Sequence, residues 1–479
     1  MSSLWTETVS IPRREKLSGD MKTEAVVIGG GMAGILTARL LTESGIRTVV
    51  LEAAAIGGGQ TKNTTAKITS QHGMIYAKLA EQFGMEAAGQ YASANEKAIK
   101  EYRRLVEKYD IHCHFTESSA YLYSTGETSG KALWQEAKTA QELGISAEFT
   151  EKTELPFPVE GAVCFHGQAH FHPLEFLKGA AEGLSIYENS PVLSVEGRKV
   201  RTAEGTVTAE HVVFAAHYPF INVPGYYFMR MYQERSYVVA LESAFLPHGM
   251  YYGVDVDGLS FRSADGLLLL GGESHRTGEN REGGRYKKLM ERARAIWPDC
   301  RERFRWSAQD CMTLDGVPYI GQFSAKTPNW YVATGFQKWG MSTSMAAAMI
   351  IRDGIVGKEN PCGEVFSPER FTPAASAKNF ISGGLHSVRD LSRQIFALPR
   401  AAFEDLPAGH GGVVEYKGEK YGVYKEESGR AHVVSTRCPH MGCQLEWNPD
   451  EKSWDCPCHG SRFDYTGKLI DNPAQEGIK

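Results

Sequence analysis

Hydrophobic and polar positions near the N-terminus predict a strand, a tight turn, a helix and a second strand. Residues 25–28 (AVVI) form a short apolar run rich in β-branched side chains, which is typical of a buried parallel strand. Residues 33–44 then place apolar side chains at helical spacing, Gly45 ends that helix, and residues 48–51 (TVVL) return to a strand. This order predicts a βαβ unit with parallel strands.

The same periodicity analysis predicts alternating helical and β-rich segments along the rest of the chain. Residues 74–109 have apolar positions at periods of three and four, which predicts a long helix. Residues 233–272 alternate short apolar runs with Gly and Asp, which predicts a large antiparallel sheet able to cover a substrate pocket. The other predicted elements are helices near 131–143, from Pro173, at 281–297, from Ser342 and near 388–396, and strands within 186–213 and 411–434.

Glycines fall where the first predicted strand meets the first predicted helix. Gly29, Gly31 and Gly34 fit the spacing G-x-G-x-x-G. This spacing allows a tight turn, a close backbone approach to a pyrophosphate and close packing of helix on strand. The helix start offers free N–H groups and a positive dipole end to phosphates. Glu52 closes the second strand and can accept both hydroxyls of a ribose, so the whole unit predicts a bound dinucleotide.

A second glycine-rich turn at 335–341 precedes the helix from Ser342. Its backbone can approach a ligand, and the helix dipole can stabilise negative charge on a flavin ring. The loop 56–73 is rich in Gly, Gln, Asn and Thr, which suits phosphate and ring edges, although an ordinary surface loop is the alternative. We therefore expect FAD, with further contacts from Thr64, Thr65, Gly335, Lys338, Gly340 and Met341.

Length and charge narrow the class of protein. With 479 residues the chain exceeds one typical domain. The net charge of −5 comes without a basic block, which argues against a nucleic-acid partner. No apolar run reaches the length of about 18 residues that predicts a membrane span. Arg13-Arg14 is followed by a polar stretch and not by an apolar export signal, so we expect a cytoplasmic location.

Residues 438–464 carry the most specific spacing in the chain. Cys438-x-His440 is followed, after fifteen residues, by Cys456-x-x-His459. Two thiolates and two imidazoles can hold the two irons of a [2Fe–2S] cluster, which accepts one electron at a higher potential than an all-Cys cluster. A tetrahedral zinc site is the alternative, although zinc modules usually pair Cys with Cys and His with His.

The loops CPHMGC (438–443) and CPCHGSRFD (456–464) resemble the cluster-binding loops of Rieske proteins of the cytochrome bc type. The resemblance covers residues 403–479. It implies a [2Fe–2S] cluster held by Cys438, His440, Cys456 and His459. It also implies a disulfide between Cys443 and Cys458, and a hydrogen bond from Ser461 to a cluster sulfide.

Two positions depart from the Rieske pattern. High-potential members of that family have a Tyr that donates to a ligand sulfur, where this chain has Phe463. Because hydrogen bonds to sulfur stabilise the reduced cluster, we expect a potential below the top of the range of about −150 to +300 mV for such centres. The segment 471–474 (DNPA) resembles the Pro loop that covers the cluster, with Asn472 where Gly is usual.

Residues 23–357 resemble the D-amino-acid oxidase and glycine oxidase superfamily of FAD enzymes. The matching motifs are GGGMAG (29–34), VVLEA (49–53), the loop 60–65, HPLEFL (172–177), HVVFAAH (211–217), DGVPYIG (315–321) and ATGFQKWGMS (333–342). The resemblance implies an α/β plus α+β fold: an FAD-binding Rossmann-like domain of the glutathione-reductase type with an interleaved antiparallel substrate domain, then a small all-β Rieske domain. The expected order is an N-terminal arm (1–22), the oxidoreductase (23–357), a linker (358–402) and the Rieske domain (403–479).

The substrate position differs from that of the amino-acid oxidases. Those enzymes carry an Arg just ahead of a T-x-DG-x-P segment to clamp the substrate carboxylate, whereas this chain has AQDC at 308–311. Asp310 would favour a cation if it faces the pocket; a structural surface acid is the alternative. Candidate groups elsewhere are Arg230, Arg262 and Arg276 for a clamp and His275 and Tyr252 for a base.

These features predict a dehydrogenase that oxidises a small amine, amino acid or hydroxy acid. Electrons would pass singly from flavin through the cluster to an external one-electron carrier. One alternative is a reductase that runs in the opposite direction from a ferredoxin, and another is a non-catalytic redox sensor. An NAD(P)H-linked reductase would need a second G-x-G-x-x-G, which GGES at 271–274 does not supply.

Overall fold

The computed structural model describes residues 2–370, 406–416 and 418–479, and its elements are numbered in chain order. Its α-helices are α1 (Leu4–Thr8), α2 (Met32–Glu43), α3 (Tyr76–Lys108), α4 (Gly130–Glu142), α5 (Pro173–Ala180), α6 (Arg285–Ile296) and α7 (Gly340–Ile355). Short 3-10 helices lie at Gln60–Asn63, Tyr227–Met229 and Glu364–Phe366.

The first sheet is the predicted dinucleotide sheet. Its strands are β1 (Met21–Ile28), β2 (Thr48–Leu51), β7 (Ser185–Tyr187), β8 (Ser194–Glu196), β9 (Lys199–Arg201), β10 (Thr206–Phe214), β16 (Tyr319–Gln322) and β17 (Trp330–Thr334). The main path runs β16-β17-β10-β1-β2-β7, and β1 pairs in parallel with both β2 and β10. Residues 25–27 of β1 are completely buried, as expected for a parallel strand covered on both faces.

The second sheet is mainly antiparallel. Its strands are β3 (Lys67–Ile68), β4 (Thr116–Ser124), β5 (Ala147–Thr150), β6 (Gly161–His170), β11 (Met231–Glu242), β12 (Met250–Gly253), β13 (Ser260–Ala264), β14 (Leu267–Arg276) and β15 (Arg301–Thr313). The main path runs β15-β11-β14-β13-β12-β4-β6-β3. Strands of the two sheets alternate in blocks along the chain, which confirms the predicted interleaving.

The C-terminal residues form two small antiparallel sheets. One contains β18 (Gly411–Tyr416), β19 (Glu419–Lys425) and β20 (Ala431–Ser435), and the other contains β21 (Glu446–Asn448), β22 (Ser453–Asp455), β23 (Arg462–Asp464) and β24 (Leu469–Asp471). Their shared core is built around Trp447, Trp454 and Phe463 together with the buried cysteines. The predicted all-β C-terminal domain is therefore confirmed.

Most predicted helices agree with the structure to within a few residues. Pro173 begins α5, because its fixed φ suits the first turn of a helix. The predicted start of α6 at residue 281 is wrong. Gly283 and Gly284 have φ values of 68° and 82°, which a right-handed helix does not allow, so α6 begins at Arg285. The predicted helix at 388–396 and linker residues 371–402 lie outside the described residues.

Candidate active site and metal centre

The turn between β1 and α2 forms one end of a cavity. Gly29 has a φ of 114°, and a Cβ added to it would lie 2.5 Å from the carbonyl oxygen of Ala215. A Cβ on Gly34 would lie 1.8 Å from the carbonyl oxygen of Gly29. Both positions therefore accept only glycine. Helix α2 begins beside them, and its N-cap residue Gly31 has no side chain to cap it. The N–H of Met32 donates a hydrogen bond of 3.0 Å to the Thr61 hydroxyl, so the N–H groups that follow it in the first turn are the ones that suit a phosphate.

The cavity has a volume of about 400 Å³ and extends from this turn to the second glycine-rich turn. The predicted cofactor contacts that line it are Gly29, Gly31, Glu52, Thr64, Lys338, Gly340 and Met341. Gly34, Thr65 and Gly335 are not among the lining residues. Gly34 instead packs α2 on β1, and Gly335 adopts a φ of 73° in the second turn.

Glu52 lies at the end of β2 with its carboxylate at the cavity wall. One oxygen accepts a hydrogen bond of 2.6 Å from the N–H of Gly30, and the other accepts one of 2.8 Å from the N–H of Ala54. Burial raises the pKa of this carboxyl. The bare turn, the uncapped helix and the acid together fit the phosphate and ribose groups of a dinucleotide.

The other end of the cavity carries a lysine between two carboxylates. The Nζ of Lys338 lies 3.1 Å from Asp310 Oδ2 and 3.3 Å from Glu234 Oε2. Burial by itself would lower the pKa of Lys338, but the two carboxylates outweigh burial and raise this pKa above its ordinary value. The three side chains carry a formal net charge of −1. Asp310 lines the cavity, so it faces the pocket and is not a surface acid.

The C-terminal loops bring together two thiols and two imidazoles. The Cys438 and Cys456 side chains are hydrogen-bonded to each other. The rings of His440 and His459 lie 4.9 Å apart at 90°. The Nδ1 atoms of both rings are buried without a hydrogen-bond partner. Burial lowers the pKa of His440 to about 4 and of His459 to about 3, so both rings are neutral and fit as ligands through Nδ1.

The two loops are joined beside these donors. Cys443 and Cys458 form a disulfide. The Ser461 hydroxyl is hydrogen-bonded to the Cys438 thiol and accepts a hydrogen bond of 3.0 Å from the N–H of Ala474. Ser461 therefore connects a ligand sulfur to the Pro loop. Phe463 is completely buried in the C-terminal core.

Comparisons with known proteins agree with this geometry. A family model for FAD dependent oxidoreductases matches residues 24–353. The chain belongs to this family. A model for the Rieske [2Fe-2S] domain matches residues 397–479. The predicted cofactors, FAD and a [2Fe–2S] cluster, are therefore confirmed.

One relative matches the whole chain, and others match part of it. A Bacillus subtilis protein named as a Rieske 2Fe-2S iron-sulfur protein, YhfW, is 35% identical and covers 99% of this chain and 96% of its own. The gamma-glutamylputrescine oxidoreductase of Escherichia coli is 23% identical over 42% of this chain and 51% of its own. Glycine oxidase from Geobacillus kaustophilus has a similar fold, with a TM-score of 0.61, 19% identity, and coverage of 73% of this chain and 99% of its own.

The Rieske domain of this FAD oxidoreductase contributes to the flavin cavity itself. Residues Leu469, Ile470, Asp471, Asn472, Ala474 and Gln475 line the cavity together with the dinucleotide turn. Gln60, from the loop after β2, donates a hydrogen bond of 2.8 Å to Asp471. Sequence motifs placed the Pro loop near the cluster only, and the structure places it against both cofactor sites.

Two buried glutamines connect the cavity to the cluster loop. Gln309 lines the cavity and donates hydrogen bonds of 2.7 Å to the carbonyl oxygen of Gly460 and 2.5 Å to Gln233 Oε1. Gln233 donates a hydrogen bond of 2.7 Å to the carbonyl oxygen of His459. Nε2 of His217, which also lines the cavity, lies 3.1 Å from Gln233 Oε1. Neither glutamine belongs to a motif, so sequence analysis had no signal for them.

The contacts of Asn472 explain why this position departs from the glycine of the Rieske pattern. Its side-chain amide donates hydrogen bonds of 2.7 Å to the carbonyl oxygens of both Ala216 and Tyr218 in the oxidoreductase domain. Glycine at this position has no amide to donate. The unusual residue was therefore a sequence signal for contact between the domains.

A buried ionic network also joins the domains. Arg235 on β11 is 2% exposed and lies 3.2 Å from Glu451 and 3.9 Å from Asp471. Arg462 of the Rieske domain lies 3.5 Å from the same Glu451 and 2.9 Å from Asp471. Glu451 also accepts hydrogen bonds from the oxidoreductase domain, so it is shared between the two domains.

The candidate clamp and base residues lie elsewhere. None of Arg230, Arg262, Arg276, His275 and Tyr252 lines the cavity. Arg262 donates to the backbone carbonyls of Thr65, Ala66 and Phe171, and Arg230 to those of Gly225 and Pro368. His275 is hydrogen-bonded through Nε2 to the Tyr237 hydroxyl and through Nδ1 to a backbone carbonyl. These contacts give Arg230, Arg262 and His275 structural roles.

Among residues 2–370, 406–416 and 418–479, no helix has both the length and the apolar character needed to cross a membrane.

Proposed function

We propose that this protein is an FAD-dependent dehydrogenase that oxidises a small cationic amine and passes the electrons through its Rieske cluster to an external one-electron carrier. The observation that carries the proposal is that residues 469–472, 474 and 475 of the Rieske domain line the flavin cavity. The hydrogen bonds of Gln233 and Gln309 to the cluster loop support the same conclusion. A hydrogen-bonded connection between the two sites favours electron transfer within one chain.

The chemistry divides between the two bound groups. FAD, when bound, supplies a two-electron acceptor for a C–H bond next to nitrogen, and the cluster supplies one-electron transfer. Oxidation of each amine to an imine releases two electrons and two protons, so each turnover reduces two equivalents of a one-electron carrier. The chain holds FAD at the glycine-rich turn and positions the cluster loop against the same cavity.

The charge around Lys338, at the end of the cavity away from the dinucleotide turn, supports an amine substrate. Asp310, Glu234 and Lys338 together carry a net charge of −1, and the cavity-lining acid replaces the Arg expected of amino-acid oxidases. A net negative site attracts a cation and disfavours a free carboxylate. The relative named gamma-glutamylputrescine oxidoreductase is consistent with an amine substrate.

An exposed apolar surface near the cluster supports a protein as the electron acceptor. Val223, Tyr226 and Met229 are 61%, 51% and 51% exposed, and Met441 beside the ligand His440 is 46% exposed. Exposed apolar side chains of this kind mark interaction sites. A one-electron carrier protein that docks here would bring its redox centre close to the cluster ligands. The cytoplasmic location stays a prediction, which cell fractionation checks.

Anaerobic mixing with a panel of amines and hydroxy acids tests the proposal. A substrate should bleach the flavin absorbance and then generate the EPR signal of the reduced Rieske cluster. Flavin bleaching without the cluster signal would contradict the proposed path. If a reduced ferredoxin reduces the cluster first and the flavin second, the reverse reductase is favoured. If no compound in the panel reduces either group, the redox sensor is favoured.

A further inference from the structure

One segment of the oxidoreductase domain contacts both histidine ligands of the cluster. This segment, residues 222–229, follows β10 and is called here the histidine cap. Asn222 Oδ1 lies 2.9 Å from Nε2 of His440. At the other end of the cap, the His459 ring is hydrogen-bonded to the backbone of Phe228, whose own ring meets the imidazole edge to face at 5.9 Å.

The chemistry of the ligands sets the direction of these hydrogen bonds. The Nδ1 atoms of both rings are buried and without a partner, which leaves their lone pairs for iron. A neutral imidazole that ligates through one nitrogen carries its proton on the other. His440 therefore donates from Nε2 to the side-chain oxygen of Asn222, and His459 donates to the Phe228 carbonyl.

We propose that the histidine cap is part of the cluster site and lowers its reduction potential. An acceptor on the outer N–H of a ligating histidine makes the ring a stronger electron donor and fixes its orientation. A stronger donor stabilises the more positive, oxidised iron. Asn222 and the Phe228 carbonyl are thus positioning groups, supplied by the flavin domain to a metal held by the Rieske domain.

The arrangement makes the potential depend on contact between the domains. The Rieske domain carries all four ligands, but among the contacts of its described residues the acceptors for both outer nitrogens belong to the other domain. The flavin domain therefore contributes to the potential of a cluster that it does not itself ligate. This inference concerns the cluster alone and does not depend on the identity of the substrate.

Redox titration of the full-length holoprotein, followed by the EPR signal of the reduced cluster, tests the proposal without any substrate. Asn222→Leu keeps the branched shape of the side chain and removes the acceptor. We expect the ratio of reduced to oxidised cluster at a fixed solution potential to rise about threefold to tenfold, the size of one net hydrogen bond. In Asn222→Asp, the charged acceptor should lower this ratio below that of the wild type. Asn222→Gln, which keeps an amide acceptor, should move the ratio back toward the wild-type value.

Asn280→Leu is the matched control. Asn280 donates across the same domain interface to Asn448 and Asp450 but touches no ligand. This variant should leave the potential unchanged. Equal shifts in Asn280→Leu and Asn222→Leu would overturn the proposal in favour of general loosening of the interface. Unchanged potentials in both Asn222→Leu and Asn222→Asp would also overturn it. If Asn222→Leu does not retain its cluster, the lowered ratio expected of Asn222→Asp and the near wild-type ratio expected of Asn222→Gln decide.

Discussion

The side-chain amide of Gln309 lies 2.7 Å from the carbonyl oxygen of Gly460, the residue that follows the predicted cluster ligand His459. Gln309 also lines the flavin cavity and is almost completely buried. One side chain therefore contacts both cofactor sites. The backbone N–H of Gln309 is also fixed, because it donates a hydrogen bond of 2.8 Å to the side-chain oxygen of Gln60 in the cofactor loop.

The first prediction concerns this contact. In Gln309→Leu the Gly460 carbonyl loses its hydrogen-bond donor, and the cluster loop shifts. We expect the rate of electron transfer to the cluster to fall about tenfold. This effect is smaller than the roughly hundredfold loss caused by a misplacement of about 1 Å at a reacting centre. Freeze-quench EPR after rapid flavin reduction measures the rate. Gln322→Leu, which removes a hydrogen bond to Ser324 at the far edge of the first sheet, is the control. Equal rates in the two variants would argue against a role for Gln309.

The second prediction is a pH dependence of the free energy of unfolding that arises from the ionic network between the domains. Burial raises the pKa of Glu451, but the charges of Arg235 and Arg462 outweigh burial and hold this pKa below its ordinary value of 4.5. A lowered pKa in the folded state means that the stabilisation is present above about pH 4.5 and is lost as the pH falls through the lower value. The unfolding free energy of wild type should therefore fall steeply with acid below about pH 4.5.

Glu451→Gln tests this dependence. The substitution removes one carboxylate that Arg235 and Arg462 share, while Asp471 remains beside both of them. It should therefore destabilise the protein by about 2 kcal/mol at neutral pH, the cost of losing hydrogen bonds between charged groups. It should also flatten the acid limb of the stability curve, measured by denaturant titration at several pH values. Glu476→Gln, at an exposed position near the C-terminus, serves as the control. An acid limb as steep as that of wild type would show that Glu451 is not the group responsible.

The third prediction concerns the substrate. Asp310→Asn removes one of the two carboxylates beside Lys338 and brings the net charge of the group from −1 to zero. We expect KM for a cationic amine to rise about tenfold, the size of one lost charge-assisted hydrogen bond, with a smaller effect on a neutral substrate. Steady-state kinetics on both substrates measures the difference. Asp299→Asn, at an exposed position, is the control, and equal changes for cationic and neutral substrates would contradict the charge argument.

The fourth prediction concerns Ser461. Its hydroxyl is hydrogen-bonded to Cys438, and hydrogen bonds to ligand sulfur stabilise the reduced cluster. Ser461→Ala should lower the potential, with a tenfold change in the oxidised-to-reduced ratio corresponding to about 59 mV for one electron. Redox titration by EPR measures it, with Ser435→Ala as the control. The same titration of the wild type measures the low potential predicted from Phe463. An unchanged potential in Ser461→Ala would show that this hydroxyl does not influence the cluster.

The fifth prediction concerns the carrier. Tyr226→Glu places a charge on the exposed apolar surface and should slow reduction of a docked carrier protein by about tenfold, because burying an unpaired charge is costly. A c-type cytochrome and a ferredoxin serve as probes, and ferricyanide, which needs no docking surface, should be reduced at the wild-type rate. Val256→Glu, at a side chain that is 92% exposed, is the control. Equal slowing with ferricyanide would show damage to the cluster and not to docking.

Much of the site could be predicted because its chemistry needs particular residue types at close spacing. Gly29 and Gly34 are required by backbone contacts within a single βαβ unit, and the cluster ligands lie in two short loops. Asn472 shows the limit of this approach, because its departure from glycine was visible while its partners, the carbonyl oxygens of Ala216 and Tyr218, were not. A backbone carbonyl leaves no mark on a sequence.

By itself the sequence determined the two folds, their order and both cofactors, because these depend on local periodicity and on motifs within a few tens of residues. Only the tertiary structure decided that Gln233, Gln309, Arg235 and Asn222 join the two domains. These polar side chains come from separate strands and loops, more than a hundred residues from their partners. These side chains have a role because they are buried against the other domain. The way two folded domains pack together depends on both of their surfaces and is not visible in the sequence of either one.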